Sequence, residues 1–217
     1  MTTLFQRGLS ENLANTTKSL LNQQTDFLSE YTVNSPRAVG DAIQSLLEKQ
    51  FGQILGDIAK NYSSAFARRA MADIAFEDTY ENFYLVDVKT HRLNTNFNMP
   101  NLTSVERIAR LYEDDKNVFS ILWVSYELQD FHVEVKGVRF FPIEALSGKC
   151  LTIGALGWGQ IQIANANKII LNPEYTRKTW MLDLCDHVLS FYPREIGKIQ
   201  ERIIHFEHIR AKWESRL

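Results

Sequence analysis

Residues Tyr84-Leu85-Val86-Asp87-Val88-Lys89-Thr90 restrict the architecture of this chain more than any other segment. The run is apolar and β-branched, as a strand inside a sheet requires, yet it carries an acid and a base two residues apart. Side chains alternate along a strand, so Asp87 and Lys89 share one face while Val86 and Val88 share the other. Two charges on one face of an apolar strand are costly unless they pair or hold a metal ion. Another acid, Asp73, lies upstream in Met-Ala-Asp-Ile-Ala-Phe.

The pattern around this segment predicts helix, strands, helix, strands and then helices. Residues 2–30 read as helical, with Leu9, Leu13, Leu20, Leu21, Phe27 and Leu28 as an imperfect apolar stripe. Asn34-Ser35-Pro36 is a helix-start signal, and a helix is expected from about 36 to 60. Its apolar face carries Val39, Ile43, Leu47 and Phe51, and Asp41, Gln44 and Glu48 form a neighbouring stripe. Residues 71–77 and 82–90 read as strands joined by a turn at 77–81, and the Asn-rich stretch 90–103 as a loop. A helix is expected over 104–113, a hairpin over 118–128 and 131–141, and a short helix over 143–146. The Gly-rich segment 154–159 leads into an alternating strand at 160–163, and a helix follows over 176–189. Pro193 reads as the opening of a separate last helix. Its stripe of Ile196, Ile199, Ile203, Phe206, Ile209 and Trp213, like the other helical stripes, is assigned to the core. The fold class is α/β (α+β), a mixed β-sheet flanked by helices, in a single domain over 1–217.

Composition sets bounds. A chain of 217 residues, 45% apolar and 23% charged, suits one soluble domain. The formal net charge of −2 gives no general basic field and counts against nucleic-acid binding, although local basic clusters and a bound cation can supply that field. Cys150 and Cys185 make no disulfide framework and no zinc spacing, which points to reduced thiols in a cytosol. No apolar run has bilayer length and no signal-peptide pattern is present, so no membrane association is expected.

Asp, Asp and Lys in this arrangement suit phosphodiester chemistry. Cleavage needs a divalent cation to neutralise the phosphate and acidify a water. Mg²⁺ takes oxygen ligands and keeps several waters, so one or two carboxylates suffice. Asp73 and Asp87, with the Val88 carbonyl, would supply the oxygens, and Lys89 would sit beside the attacking water. The everyday meaning of Asp-x-Lys on a strand is a solvated surface pair. The apolar neighbours Leu85, Val86 and Val88, and Asp73 one strand earlier, favour the site.

Asp73 with Asp87-Val88-Lys89 resembles the pattern of the PD-(D/E)xK nucleases. The run from Asp87 to Thr90, a polar loop and then Pro100-Asn101 is similar to type II restriction endonucleases of that superfamily. So are Tyr126-Glu127-Leu128, Gln160-Ile161-Gln162 and Tyr175-Thr176-Arg177. The resemblance spans about residues 36–190. Ala72 stands where the pattern has proline. The resemblance implies a restriction-endonuclease-like core and a bacterial, cytoplasmic homodimer. It also implies cutting of both strands of palindromic double-stranded DNA with Mg²⁺, leaving blunt ends with 5′-phosphates. A cognate methyltransferase in the host is a further implication. Asp73, Asp87 and Lys89 would be catalytic. The first helix often adds an acid; Gln44 falls where relatives carry Glu, and Glu48, one turn on, is the candidate substitute. Residues 1–35 are the candidate dimer contact or DNA-embracing arm.

Base reading needs paired donors and acceptors, which Asn, Gln and Arg present. Arg92, Asn94, Asn96, Asn98 and Asn101 fill the loop after the lysine, and the resemblance sets Asn98 and Asn101 at the bases. Gln160 and Gln162 lie on one face of their strand. Lys60, Arg68, Arg69, Arg177 and Lys178 are candidate phosphate contacts. The bland alternatives are a turn-forming Asn loop and solvated charges. His91, His205 and His208 have no metal-ligand partners at suitable spacing and read as structural or surface residues. The rival functions are a repair or junction-resolving nuclease on the same core and a non-catalytic DNA-binding module.

Overall fold

The computed structural model describes residues 2–5, 8–24, 35–62, 72–129 and 132–216. A mixed five-stranded sheet runs through the centre in the order β1-β2-β3-β5-β6. Its strands are β1 (Ala59–Tyr62), β2 (Ile74–Asp78), β3 (Phe83–Arg92), β5 (Asn117–Gln129) and β6 (His132–Pro142). β2 and β3 are antiparallel, with Ile74 opposite Val86, as are β5 and β6. β3 and β5 are parallel, with Leu85 opposite Phe119 and Asp87 opposite Ile121. A parallel pair needs a crossover. Here it holds β4 (Asn101–Ser104) and helix α3 (Val105–Leu111).

The alternation expected of β3 holds. Tyr84, Val86 and Val88 join one core with Val39, Ile43, Leu47 and Phe51 of α2 (Pro36–Leu55) and Leu13 and Leu21 of α1 (Leu9–Gln23). Leu85 faces the opposite core with Phe119, Ile121 and Trp123. That second core is closed by α3, by a three-stranded sheet ordered β4-β8-β7, and by the first half of α4 (Arg177–Glu214). β7 spans Leu151–Gly154 and β8 spans Gln160–Ile163. The whole is a mixed sheet with helices on both faces, as expected.

Several boundaries differ from expectation for physical reasons. α2 starts where predicted, with the Ser35 Oγ accepting the Ala38 N–H and Pro36 in the first turn. It stops at Leu55 because Gly56 turns to φ 51°, and the chain then joins the sheet edge as β1. The stretch expected to be loop up to Thr103 is shorter, because β4 pairs with β8. α1 lays its buried residues on its own sheet, and the Asn22 amide bonds both the N–H and the C=O of Val135 on the edge strand β6. That apolar stripe is therefore used within the protomer; Phe27 and Leu28 lie outside the described residues. Pro193 does not open a helix: α4 runs through it. The carbonyl left without a helical partner belongs to Leu189, whose side chain is exposed, so water can satisfy it. The Ile and aromatic stripe beyond Pro193 is exposed rather than core. Among the described residues, no helix is long and apolar enough to cross a membrane.

Candidate active site

The chemistry-bearing residues converge where β2 begins and β3 is two-thirds along. Asp73 lies in a bend just before β2, and its N–H donates to the Val86 carbonyl at 3.1 Å. Continuing the β2–β3 register by one step sets Asp73 opposite Asp87. The ladder ends there, and the Asp73 Oδ2 accepts the Val88 N–H at 2.6 Å. A strand residue points its N–H and C=O to the same neighbour, so the Val88 carbonyl also faces the Asp73 side.

α2 reaches this point because Gly40 lets it approach β3; a Cβ there would lie 2.9 Å from the Thr90 Oγ1. One turn on, the Gln44 Nε2 donates to the Asp73 Oδ1 at 2.6 Å and to the Glu48 Oε1 at 3.1 Å. Glu48 therefore reaches the cluster through Gln44. The Gln44 amide is the group that contacts Asp73 directly.

Asp87 is buried, and the Lys89 Nζ donates to its Oδ1 at 2.8 Å. Its Oδ2 is buried with no hydrogen-bond partner. Burial pushes the Asp87 carboxyl up to about 7. Lys89 opposes that shift, the Asp73 charge adds to it, and the Arg107 guanidinium opposes it. Asp73 is raised as well, first by burial. The Val88 N–H and Lys89 pull it down, and Glu48 pushes it up.

A buried carboxylate oxygen without a donor is a position that a cation would fill. Asp73 and Asp87, with the Val88 carbonyl, are the oxygens at hand. That set fits Mg²⁺, which needs few protein ligands. Among the described residues, no group of three His, Cys, Asp or Glu side chains stands at metal-ligating spacing.

The candidate base readers divide. Asn101 and Gln162 are brought face to face by the β4–β8 register, and the Gln162 Nε2 donates to the Asn101 Oδ1 at 2.6 Å. Gln160 sits on the same strand opposite Ser104. Asn94 is exposed and accepts from the Arg92 Nε at 2.6 Å. Asn96 is exposed, and its carbonyl accepts from the Asn167 Nδ2. Asn98 is half-buried, and its carbonyl accepts the Ala166 N–H. These groups follow β3 on the Lys89 side.

Arg177 is not with them. It sits at the opposite end of the sheet, ion-paired with Glu144 at 2.9 Å, bonded to the carbonyls of Asp115 and Asn117, and stacked over Tyr112 at 4.1 Å. These contacts tie the start of β5 to α4, away from the Asp73–Asp87 cluster where a phosphate contact was expected. Lys60 pairs with Glu77 at that same end. Arg68 and Arg69 lie outside the described residues.

Sequence reasoning missed two residues. Arg107 lies in the first turn of α3, where a cation opposes the helix dipole, and that misplacement was its available signal. The Asn167 Oδ1 accepts from the His91 Nε2–H at 2.9 Å, while its Nδ2 donates to the carbonyls of Thr95 and Asn96. It joins the polar loop to β3 through the buried His91. Asn167 comes from a stretch with no periodic signal. No protein-family model matches this chain, and no curated protein matches it at a significant level.

Proposed function

We propose that this chain is a Mg²⁺-dependent, sequence-specific double-stranded DNA endonuclease of the type II restriction class, on a restriction-endonuclease-like core. The observation that carries the reading is the Asp87 carboxylate. It is buried, paired on one oxygen with Lys89 and open on the other, with Asp73 across the strand.

Asp73, Asp87 and the Val88 carbonyl would hold the cation. When bound, Mg²⁺ neutralises phosphate charge and lowers the pKa of a water. The chain's own groups do the rest. Lys89 orients the nucleophile and offsets charge developing on the phosphate. Gln44 fixes the Asp73 carboxylate. Arg107 adds positive charge near Asp87. Asn101 and Gln162, on the paired strands β4 and β8, present amides to base edges, and Arg92, Asn94 and Asn96 flank them. Cutting both strands of a palindrome calls for two copies related by a two-fold axis.

Digestion of a sequenced plasmid with Mg²⁺, against an EDTA control, tests the reading. Discrete fragments with 5′-phosphate ends are expected. Smearing or branch-dependent cutting would indicate a repair or resolving nuclease instead. One observation favours a non-catalytic DNA-binding module: both Asp73 oxygens already accept protein donors. That reading predicts sequence-selective binding with no cutting at any Mg²⁺ concentration.

A further inference from the structure

The second half of α4 leaves the domain. Trp180, Leu184 and Val188 pack on the second core, Phe191 and Glu195 continue the buried face, and then every turn is exposed. From Ile196 to Glu214 the helix extends about 28 Å without a packed face. Helices of this kind owe their stability mainly to tertiary packing, so the stretch calls for a covering surface.

Its exposed residues have a regular order. Leu189, Tyr192, Ile196, Ile199, Ile203, Phe206, Arg210 and Trp213 follow alternating spacings of three and four. That is the a/d seam of a coiled coil, and it is offset from the face packed on the domain. The seven apolar members are each 37% to 69% exposed. At roughly 100 Å² apiece they offer on the order of 700 Å², near the ~800 Å² that each partner contributes to a stable complex and above the ~300–600 Å² patch of a typical monomer.

We infer that this seam is covered by the same helix of a second copy, in a parallel two-stranded coiled coil. Side-chain charges favour that occupant. In parallel register Arg202 on one flank meets Glu207 on the partner helix, twice by symmetry. An antiparallel pairing would set Arg202 against Glu195 instead, but Glu195 is buried against the domain and bonded to Lys198 at 2.6 Å. Arg210 interrupts the seam once, pairs with Glu214 of its own helix at 2.9 Å, and fixes the register. The inference identifies the interface for the two-fold partner that cutting both strands requires. It rests on that reading, and a dimer that persists in the seam variants would sink this interface while leaving the nuclease assignment standing.

Light scattering on the intact chain tests it. The expected mass is twice 25.1 kDa. The double substitution Ile199→Glu with Ile203→Glu should halve that mass and leave the domain's melting transition in place, while Ile204→Glu, off the seam, should stay dimeric. Should the double variant not fold, the charge pair still decides. Arg202→Glu should weaken the dimer about tenfold, and adding Glu207→Arg should restore it. Arg210→Cys with Cys185→Ser should oxidise to a covalent dimer. A monomeric or trimeric wild type, a seam variant that stays dimeric, or no cross-link at position 210 would overturn the inference.

Discussion

Asp78 and Asp87 are both buried acids at opposite ends of the β2–β3 hairpin, and the contrast between them separates structure from chemistry. Asp78 closes the turn. It accepts from the N–H groups of Tyr80 and Asn82, from the Asn82 amide on both oxygens, and from the Tyr84 hydroxyl at 3.0 Å. Its lone pairs are filled by neighbours that come with the turn. Asp87 has Lys89 on one oxygen and nothing on the other. Asp78 is a staple satisfied by its turn, whereas Asp87 keeps an open oxygen in a dry place beside the carboxylate of Asp73, an arrangement that a cation can complete. Arg177 extends the lesson. A cation that reads in sequence as a phosphate contact is a staple once four groups surround it.

The largest expected effect would break this contrast most directly. Asp87→Ala or Lys89→Ala should lower Mg²⁺-dependent cleavage about 10³-fold or more, measured as single-turnover cutting of a plasmid carrying the site. Asp78→Ala should leave cutting per folded molecule intact. Its effect belongs to stability. Removing the acceptor strands the Tyr84 hydroxyl and the turn N–H groups, and should cost on the order of 3 kcal/mol in urea unfolding. If Asp78→Ala abolished cutting and Asp87→Ala only destabilised, the assignments would be reversed.

A third expectation concerns pH in metal-free buffer. The Asp87 carboxyl titrates near 7 in the folded state against an ordinary 3.8. Between those values the folded protein keeps a proton that the unfolded chain has released, so this group's contribution makes stability fall as pH rises through the window. Asp87→Asn removes that slope. Its stability relative to wild type should therefore improve by about 2 kcal/mol between pH 5 and pH 7 and level off above about pH 8, while cutting is lost. A wild-type-like slope in Asp87→Asn would show that the carboxyl is not held up by burial. The smallest effect is expected at the paired amides. Asn101→Ala or Gln162→Ala should cost about 1–3 kcal/mol of discrimination between cognate and altered sites, read from binding competition. Arg177→Ala should leave discrimination unchanged and lower the unfolding midpoint.

Much of the site was legible along the chain because its logic is local. Alternation on β3 sets Asp87 and Lys89 on one face, and a hairpin of ordinary geometry returns Asp73 to them. The N-cap at Ser35 and the apolar period of α2 were equally local signals. Gln44 was noticed only as a departure from a pattern. Its role as the amide clamped on Asp73 depends on the close approach of α2 at Gly40, which pairs residues far apart in sequence.

By itself, then, the sequence determined which side chains could do chemistry and which face of each element they share, because periodicity and turn chemistry are encoded residue by residue. Tertiary structure alone decided which charges are satisfied and which are left open. It buried Asp87, spent Arg177 at the far end, set Asn101 against Gln162, and kept the α4 stripe off the protomer's own core, to which pattern alone assigned it. The physical reason is that desolvation and hydrogen-bond saturation are properties of the packed neighbourhood, and neighbours across a sheet are not neighbours along the chain.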